Sequence, residues 1–255
     1  MKRLILLGIV SALAYTQRAD ASLIIDITAN GDSATCDNST VAGVLACAAG
    51  GFTTTLQGNN ISYGPGFSVG GYTFNGVSGV AADVPGNAVL SALSDSKLTI
   101  DHLSGAGDLT ITFAGTDYSL PAGPNLILST SSSGIWNVAQ AGDEATFQAW
   151  VRNDDTPTVP GGDATAVSPV CASGGPGTTL SCSSASANVP WVLTGALYSI
   201  TGQEVITQAI GSEASYQGTV NVTAGANVPE PATLSLIGIS LVGLGLMRRR
   251  LQSKK

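Results

Sequence analysis

The sequence predicts an all-β protein built as an antiparallel β-sandwich, and two observations carry this prediction. Apolar and polar residues alternate with a period of two in several segments, as they do in strands that bury one face. Clusters of turn-forming residues separate these segments at short intervals, and the chain contains 32 Gly and 11 Pro. Short strands joined by frequent turns are typical of a sandwich.

Two pairs of these segments are predicted to form β-hairpins. Residues 98–102 and 109–113 alternate on either side of a Gly-rich break. Residues 198–210 and 216–223 alternate on either side of a short turn. Two alternating runs separated by a short Gly-containing loop are typical of strands that are neighbours in a sheet.

Two further strands are predicted singly. Residues 23–28 alternate near the start of the body of the chain. Residues 145–152 alternate again, and Phe147, Ala149 and Val151 share one face of that strand because successive side chains point to opposite sides.

The remaining segments are less regular. Residues 89–95 are the one candidate for a turn of helix in the body of the chain. Residues 154–186 are rich in Gly, Ser, Pro and Thr, so they are predicted to form a long loop or an insertion.

The body of the chain is strongly acidic. Residues 22–227 hold fifteen Asp and Glu but only two basic residues, Lys97 and Arg152, so their formal net charge is −13. Binding to nucleic acid depends on Lys and Arg that neutralise phosphates, so the sequence predicts no nucleic-acid partner. A body with this charge is soluble and attracts divalent cations.

Four cysteines fall into two pairs of equal spacing. Ten residues separate Cys36 from Cys47, and ten separate Cys171 from Cys182. Four cysteines allow three pairings, and in an exported protein the local pairing within each pair is the simplest. We therefore expect two disulfides, each stabilising by about 3 kcal/mol. A metal site is the weaker alternative, since there is no Cys-x-x-Cys motif and one histidine in the chain.

A serine hydrolase is one alternative function. Residues 66–70 match Gly-x-Ser-x-Gly around Ser68, and Asp83, Asp95 and His102 follow in the order that this type of triad requires. A nucleophile elbow leads into a helix, however, whereas the residues after Ser68 are strand-like. We therefore expect no catalytic site, and we expect His102 to be a structural residue at a strand end.

Calcium binding is an alternative for two turn regions that are rich in oxygen ligands. Neither region has the register of an EF-hand loop, and such side chains commonly bond to their own backbone in turns. The sequence therefore predicts no metal and no cofactor. The residues concerned are Asn30, Asp32, Asp37 and Asn38 in the first region, and Asn153, Asp154, Asp155 and Asp163 in the second.

A carbohydrate-binding module is a further alternative. The chain has three tryptophans, Trp136, Trp150 and Trp191, and such side chains stack on sugar rings. Trp150 alternates with the face that holds Phe147, so it is predicted to be exposed. An exposed aromatic side chain indicates a binding platform, although filling of the core is the more common role of tryptophan.

The first 21 residues are predicted to be a signal peptide. Residues 1–3 are Met-Lys-Arg, residues 4–15 are apolar, and Ala-Asp-Ala at 19–21 supplies a cleavage site before Ser22. Signal peptidase is accordingly an expected partner.

An uncharged segment near the C-terminal end is predicted to cross the membrane. Residues 233–247 carry no charge, and Arg248, Arg249 and Arg250 follow them. The positive-inside rule places this basic cluster in the cytoplasm and the body of the protein outside. A helix of this length reaches about 22 Å, which is short of a hydrocarbon core of about 30 Å.

The C-terminal tail resembles the PEP-CTERM sorting signal. Val228, Pro229, Glu230 and Pro231 precede the apolar segment and the arginines in the order typical of that signal. The resemblance implies recognition by an exosortase-type membrane protease and work at the cell surface or in an extracellular polysaccharide matrix. The body is similar to the β-rich ectodomains common among such proteins in segments 72–76, 98–100 with 109–111, and 198–207.

Together these features predict an exported protein in three parts: a signal peptide (1–21), a β-sandwich ectodomain (22–227) and a sorting tail (228–255). The expected role is a structural or adhesive component of the cell surface or matrix, linked to exopolysaccharide or biofilm, and not an enzyme. The expected partners are exosortase, signal peptidase, the membrane and exopolysaccharide. The carbohydrate-binding module and the serine hydrolase stay open as alternatives.

Overall fold

The structure is a computed structural model that describes residues 22–225 except 84, 85, 88, 96, 97, 158–160 and 178. The predicted signal peptide, the sorting motif at 228–231, the apolar segment at 233–247 and the arginines at 248–250 lie outside the described residues. In chain order the elements are β1 (Leu23–Ala29), β2 (Asp32–Asp37), α1 (Val41–Ala49), β3 (Phe52–Thr54), β4 (Asn60–Tyr63), β5 (Phe67–Val69), β6 (Tyr72–Phe74), β7 (Ser78–Ala82), β8 (Leu90–Asp95), β9 (Leu98–His102), β10 (Leu109–Tyr118), β11 (Asn125–Val138), β12 (Glu144–Arg152), β13 (Ala164–Val167), β14 (Cys171–Ala172), β15 (Leu180–Ala185), β16 (Val189–Val192), β17 (Tyr198–Thr207) and β18 (Glu213–Ala224).

The strands form two antiparallel sheets. Sheet A has the order β13-β12-β17-β10-β1-β2, and β14 also pairs with β12. In sheet B, β18 pairs with β8 and β9 along one side and with β11 along the other. Strands β7, β4 and β3 extend sheet B beyond β8, β6 and β5 extend it beyond β9, and β15 and β16 both pair with β11.

Alternation of side chains turns the apolar residues of both sheets inward. Strand β1 buries every second residue from Leu23 to Ala29, which confirms the predicted first strand. In β12, the side chains of Phe147, Ala149 and Val151 are buried as predicted.

The two sheets pack face to face across this core. Phe147 of sheet A stacks on Phe113 with the ring centroids 6.0 Å apart, and its ring lies against Gly218 of sheet B. The hydroxyl of Tyr118 in β10 donates to the carbonyl oxygen of Ala92 in β8 at 3.0 Å. The architecture is therefore all-β with two antiparallel sheets, as the sequence predicts.

Both predicted hairpins are wrong. Strand β9 belongs to sheet B, where it pairs with β6 and β18, whereas β10 pairs with β1 and β17 in sheet A. In the same way β17 lies in sheet A and β18 in sheet B. Each connection crosses between the sheets. Alternation fixes which face of a strand is buried but does not fix the neighbouring strand, so it cannot distinguish a hairpin from a crossing.

Two other predictions are also wrong. Residues 90–95, in the candidate helical turn, form strand β8, and the predicted loop at 154–186 contains β13, β14 and β15. In β8 the buried positions are Ser91, Leu93 and Asp95. Because two of these three inward residues are polar, the apolar alternation that indicates a strand is hidden.

Helix α1 is absent from the predicted elements. Its first turn is capped by Thr40, whose Oγ1 accepts from the amide of Gly43 at 3.0 Å. Cys47 is its only buried residue, whereas Val41 and Leu45 are exposed. The helix is uncharged and has no polar face, so it lacks the amphipathic pattern that predicts surface helices.

Gly218 allows the two sheets to approach each other closely. A Cβ at this position would lie 2.5 Å from Cε2 of Phe147. We expect Gly218→Ala to lower the free energy of unfolding by about 1–3 kcal/mol, the usual effect of overpacking a core. Urea denaturation measures this loss. Gly64→Ala is the control, because nothing lies within 4 Å of a Cβ at Gly64, and equal destabilisation of both variants would contradict the account.

Candidate functional site

Both predicted disulfides are present. Cys36 of β2 is bonded to Cys47 of α1, and Cys171 of β14 is bonded to Cys182 of β15. The first bond holds the exposed helix α1 to sheet A. The second joins the two sheets, because β14 pairs with β12 in sheet A and β15 pairs with β11 in sheet B. The four cysteines are therefore structural.

His102 is held in place by the backbone. Its ring stacks on Tyr72 with centroids 4.1 Å apart and an angle of 3° between the planes. Nδ1 lies 2.5 Å from the carbonyl oxygen of Gln208, and Nε2 lies 3.0 Å from the carbonyl oxygen of Ser104. The imidazole, which is buried, thus links β9 to the segment that follows β17. These contacts fit the structural role expected for His102.

Ser68 does not face His102. Ser68 pairs with Thr73, and Thr73 pairs with Asp101, so Ser68 shares a register row with Asp101 rather than with His102. His102 instead pairs with Tyr72 on the buried face of sheet B. Because adjacent positions along a strand point to opposite faces, the predicted nucleophile and the predicted base lie on opposite sides of the sheet.

The first region considered for calcium is occupied by structural contacts. The amide of Leu23 donates to Oδ1 of Asn38 at 2.7 Å, and Nδ2 of Asn38 donates to the carbonyl oxygen of Gly58 at 2.8 Å. Oδ1 of Asp37 accepts from the amide of Ser39 at 2.8 Å. These side chains join β1 to the turn before β4, as Asx side chains commonly do.

The second region considered for calcium, at residues 153–163, is also occupied by hydrogen bonds within the protein. Hydrogen bonds from Arg152 and from Thr156 lower the pKa of the exposed Asp154 carboxyl to about 2. Oδ1 of Asp155 accepts from the amide of Asp117 at 2.9 Å, and Oδ2 of Asp163 accepts from a backbone amide at 2.6 Å. Within the described ranges, no group of three or more His, Cys, Asp or Glu is arranged to hold a metal ion.

The predicted exposure of Trp150 is wrong. Trp150 is 4% exposed, and Trp136 and Trp191 are 1% and 5% exposed. Trp150 does point away from the face of Phe147, but the backbone at Gly162 folds over it, with the Cβ of Trp150 3.1 Å from an added Cβ at Gly162. Three buried indoles offer no stacking platform at the surface.

The outer face of sheet B carries a neutral polar surface that the sequence analysis did not identify. Rows of paired residues form it: Ser129 opposite Asn221, Ser131 opposite Thr219, and Ser133 opposite Gln217 and Ser183. We call these seven residues the hydroxyl face. They are exposed or half-buried, and adjoining clefts of about 230 and 130 Å³ lie among them. The run of hydroxyl residues at 129–133 is the only sequence signal for this surface.

Asp95, considered above as a triad acid, lies in the core beside Glu204. Asp95 ends β8 in sheet B, and Glu204 lies in β17 of sheet A. Glu204 has no exposed surface, and among the described residues neither of its carboxyl oxygens has a hydrogen-bond partner. Alternation places position 204 inward but gives no signal that an acid from the other sheet lies opposite.

The structural role of His102 can be tested by comparing how substitutions at His102 and at Ser68 change the stability of the protein. We expect His102→Phe to lower the free energy of unfolding by about 1–3 kcal/mol, since it keeps a ring on Tyr72 but removes the ring nitrogens that bond to buried carbonyls. Ser68→Ala is the control and should change stability by less than about 0.5 kcal/mol. Urea denaturation provides both values. A His102→Phe variant as stable as the wild type would contradict the structural role.

Comparison with solved structures finds distant likenesses. A structure of the infectious bursal disease virus Gt strain is 14% identical, with 91% of this chain and 67% of that chain covered and a TM-score of 0.16. The VP2 subviral particle of infectious bursal disease virus is 15% identical, with 81% and 62% covered and a TM-score of 0.14. At these TM-scores neither likeness carries an argument. No curated protein matches the chain.

The C-terminal end matches a family model. The model of the PEP-CTERM protein-sorting motif matches residues 227–250, which include the motif at 228–231 and the arginines at 248–250. Among the residues that the structure describes, no helix is long and apolar enough to cross a membrane, and the predicted crossing at 233–247 lies outside them. The chain thus carries a PEP-CTERM sorting motif, which implies export, anchoring through the C-terminal tail and processing by exosortase.

Proposed function

We propose that this protein is a non-enzymatic structural or adhesive component of the bacterial cell surface or of its polysaccharide matrix. The match to the sorting motif at residues 227–250 carries the proposal, because the motif implies export and this supports a role for the β-rich body outside the cell. In this account a signal peptide at residues 1–21 starts export. The C-terminal tail then anchors the body at the membrane, and this anchored state lasts until exosortase releases the body.

The chemistry of the motif supports processing rather than permanent anchoring. Pro229 and Pro231 lack amide donors and disfavour helix in the residue before each, and such a sequence favours access by a protease. Glu230 lies just before the apolar segment, where the positive end of a helix dipole favours a negative charge. The basic cluster at 248–250 retains the tail on the cytoplasmic side.

The body has properties that suit the outside of a cell. Its two disulfides are of the kind that persists in oxidising compartments. Its net charge of −13 over residues 22–227 favours solubility. The separation of Ser68 and His102 on opposite faces of sheet B favours a role without catalysis over the serine hydrolase.

The hydroxyl face favours a second function, binding of an uncharged polysaccharide. Its hydroxyl and amide groups donate and accept hydrogen bonds, as sugar hydroxyls do, and none of its members is charged. Its rows repeat at every second residue along the strands, about 6.7 Å apart, so an extended chain lying along the strands meets one polar row after another. This surface replaces the tryptophan platform as the candidate for contact with exopolysaccharide.

Processing can be tested at Glu230. We expect Glu230→Ala to leave the full-length protein in the membrane of the native host, because the charge proposed for recognition is lost. Membrane fractionation followed by intact mass spectrometry detects the uncleaved product. Glu213→Ala, in β18 of the body, is the matched control and should be processed normally. If wild-type protein at the surface retains residues 248–255, the proposed release does not occur.

Polysaccharide binding can be tested on the hydroxyl face. The double variant Ser133→Lys, Gln217→Lys places two long charged side chains on facing positions, so we expect at least a tenfold loss of binding to insoluble exopolysaccharide from the native host. Thr112→Lys, Gln203→Lys is the matched control, since these residues also face each other but on sheet A. Co-sedimentation measures both. Equal binding by the two variants would contradict the assignment.

A further inference from the structure

Two acidic side chains meet in the interior between the sheets. Asp95 is the last residue of β8, and Glu204 lies opposite Ile111 and Phe147 in sheet A. Their exposed fractions are 7% and 0%. The two carboxyl groups come from different sheets. The amide of Gly218 donates to Asp95, and Gly218 lies against the ring of Phe147, the strand partner of Glu204, so the two acids lie close together in the core.

The strand topology explains why a polar residue occupies the buried position 95. Along one side of β18, residues 213–216 pair with β9 and residues 219–223 pair with β8. Gly218 lies where one neighbour ends and the next begins, and its amide donates to Oδ1 of Asp95. The carboxyl group thus supplies the acceptor that the ladder does not provide at this point, as a buried amide requires.

Among the residues that the structure describes, no ion pair involves Asp95 or Glu204. Among the described residues the basic side chains are Arg152 and His102, and Arg152 forms its ion pair with Asp154 while the His102 ring bonds to backbone carbonyls. Within the same described part, neither Oδ2 of Asp95 nor either carboxyl oxygen of Glu204 has a hydrogen-bond partner. Two carboxylates cannot donate, so their contact is attractive only when one of them carries a proton.

We propose that Asp95 and Glu204 share a proton that clamps the two sheets together, and that loss of this proton at alkaline pH loosens the sandwich. A carboxyl–carboxylate pair satisfies two buried groups with one proton. Removal of the proton leaves like charges in contact inside the protein, where their repulsion is weakly screened. The clamp is a property of the fold and does not depend on the proposed function.

Burial determines the direction in which the pKa values of Asp95 and Glu204 shift. Desolvation raises the pKa of Asp95 to about 7, and desolvation together with the charge of Asp95 raises the pKa of Glu204 well above its usual range. Among the described residues, Tyr63 of β4 and Tyr216 of β18 are the other titratable groups that interact with the pair. Burial raises the pKa of Tyr216 to about 12 and raises that of Tyr63 well above its usual range, so both phenols stay neutral.

The sign of the pH dependence follows from these shifts. An unfolded chain releases its Asp and Glu protons near pH 4, whereas the folded chain retains those of the pair. Stability is therefore greatest below pH 4 as far as this pair is concerned. It falls as the pH rises through about 7 for Asp95 and further for Glu204. The unfolding equilibrium constant rises about tenfold per pH unit for each extra proton held by the folded state.

The test compares the full-length protein with Glu204→Gln in detergent, by urea unfolding from pH 5 to pH 9. Glutamine keeps the shape and can donate to Asp95, but it has no proton to lose. We expect the ratio of the two unfolding constants, wild type over variant, to rise at least tenfold over this range. The control Glu144→Gln removes an exposed acid from the same sheet and should follow the wild type.

A second measurement keeps the proposal testable if the variant does not fold. Carbon-13 NMR of glutamate carboxyl groups in the folded wild type should show one group still protonated at pH 7. Ionisation of every glutamate below pH 5 would overturn the proposal, and so would parallel pH profiles for the wild type and Glu204→Gln. Stabilisation of the wild type but not the variant by millimolar Ca²⁺ at pH 8 would also overturn it, in favour of a buried cation site.

Discussion

Strand β18 is the element on which sheet B depends. Its 12 residues pair with β11 on one side and with both β8 and β9 on the other. The branches of the sheet that include β3 to β7, and those that include β15 and β16, are attached through these three neighbours. Its inward residues also meet sheet A, where Gly218 lies against the ring of Phe147. Register and core packing are therefore fixed by one strand near the end of the body.

The sequence predicts the faces of strands better than it predicts their partners. Alternation identifies β1 and the buried face of β12, because burial of one face leaves a period of two in the residues. It fails for both hairpins, since a strand that crosses to the other sheet has the same pattern as one that turns back. It also fails for β8, where Ser91 and Asp95 occupy inward positions. The two disulfides were predictable because the export signals and the equal spacings agree.

The candidate sites show the same limit, because local sequence patterns do not reveal which distant segments come into contact. Trp150 points away from the core, as its position predicts, yet it is covered by the chain at Gly162, and no local pattern indicates such a cover. His102 and Ser68 occur in the order of a triad, but the pairing of β5, β6 and β9 places them on opposite faces. The acid pair depends on the gap between β8 and β9, which exists only once the sheet is assembled. The sorting motif, by contrast, is recognisable from the sequence alone, because it is one contiguous segment.

The position of β18 has a mechanical consequence for an anchored protein. The strand ends at Ala224, three residues before the matched motif begins at residue 227, so tension from an anchored tail reaches the body at the end of β18. A force in this direction runs parallel to the strand and loads its ladders in shear, with the hydrogen bonds to β11, β8 and β9 sharing the tension at once. While the tail anchors the protein, the body is thus held through a strand that is paired along both of its sides rather than through an edge strand that would separate one bond at a time.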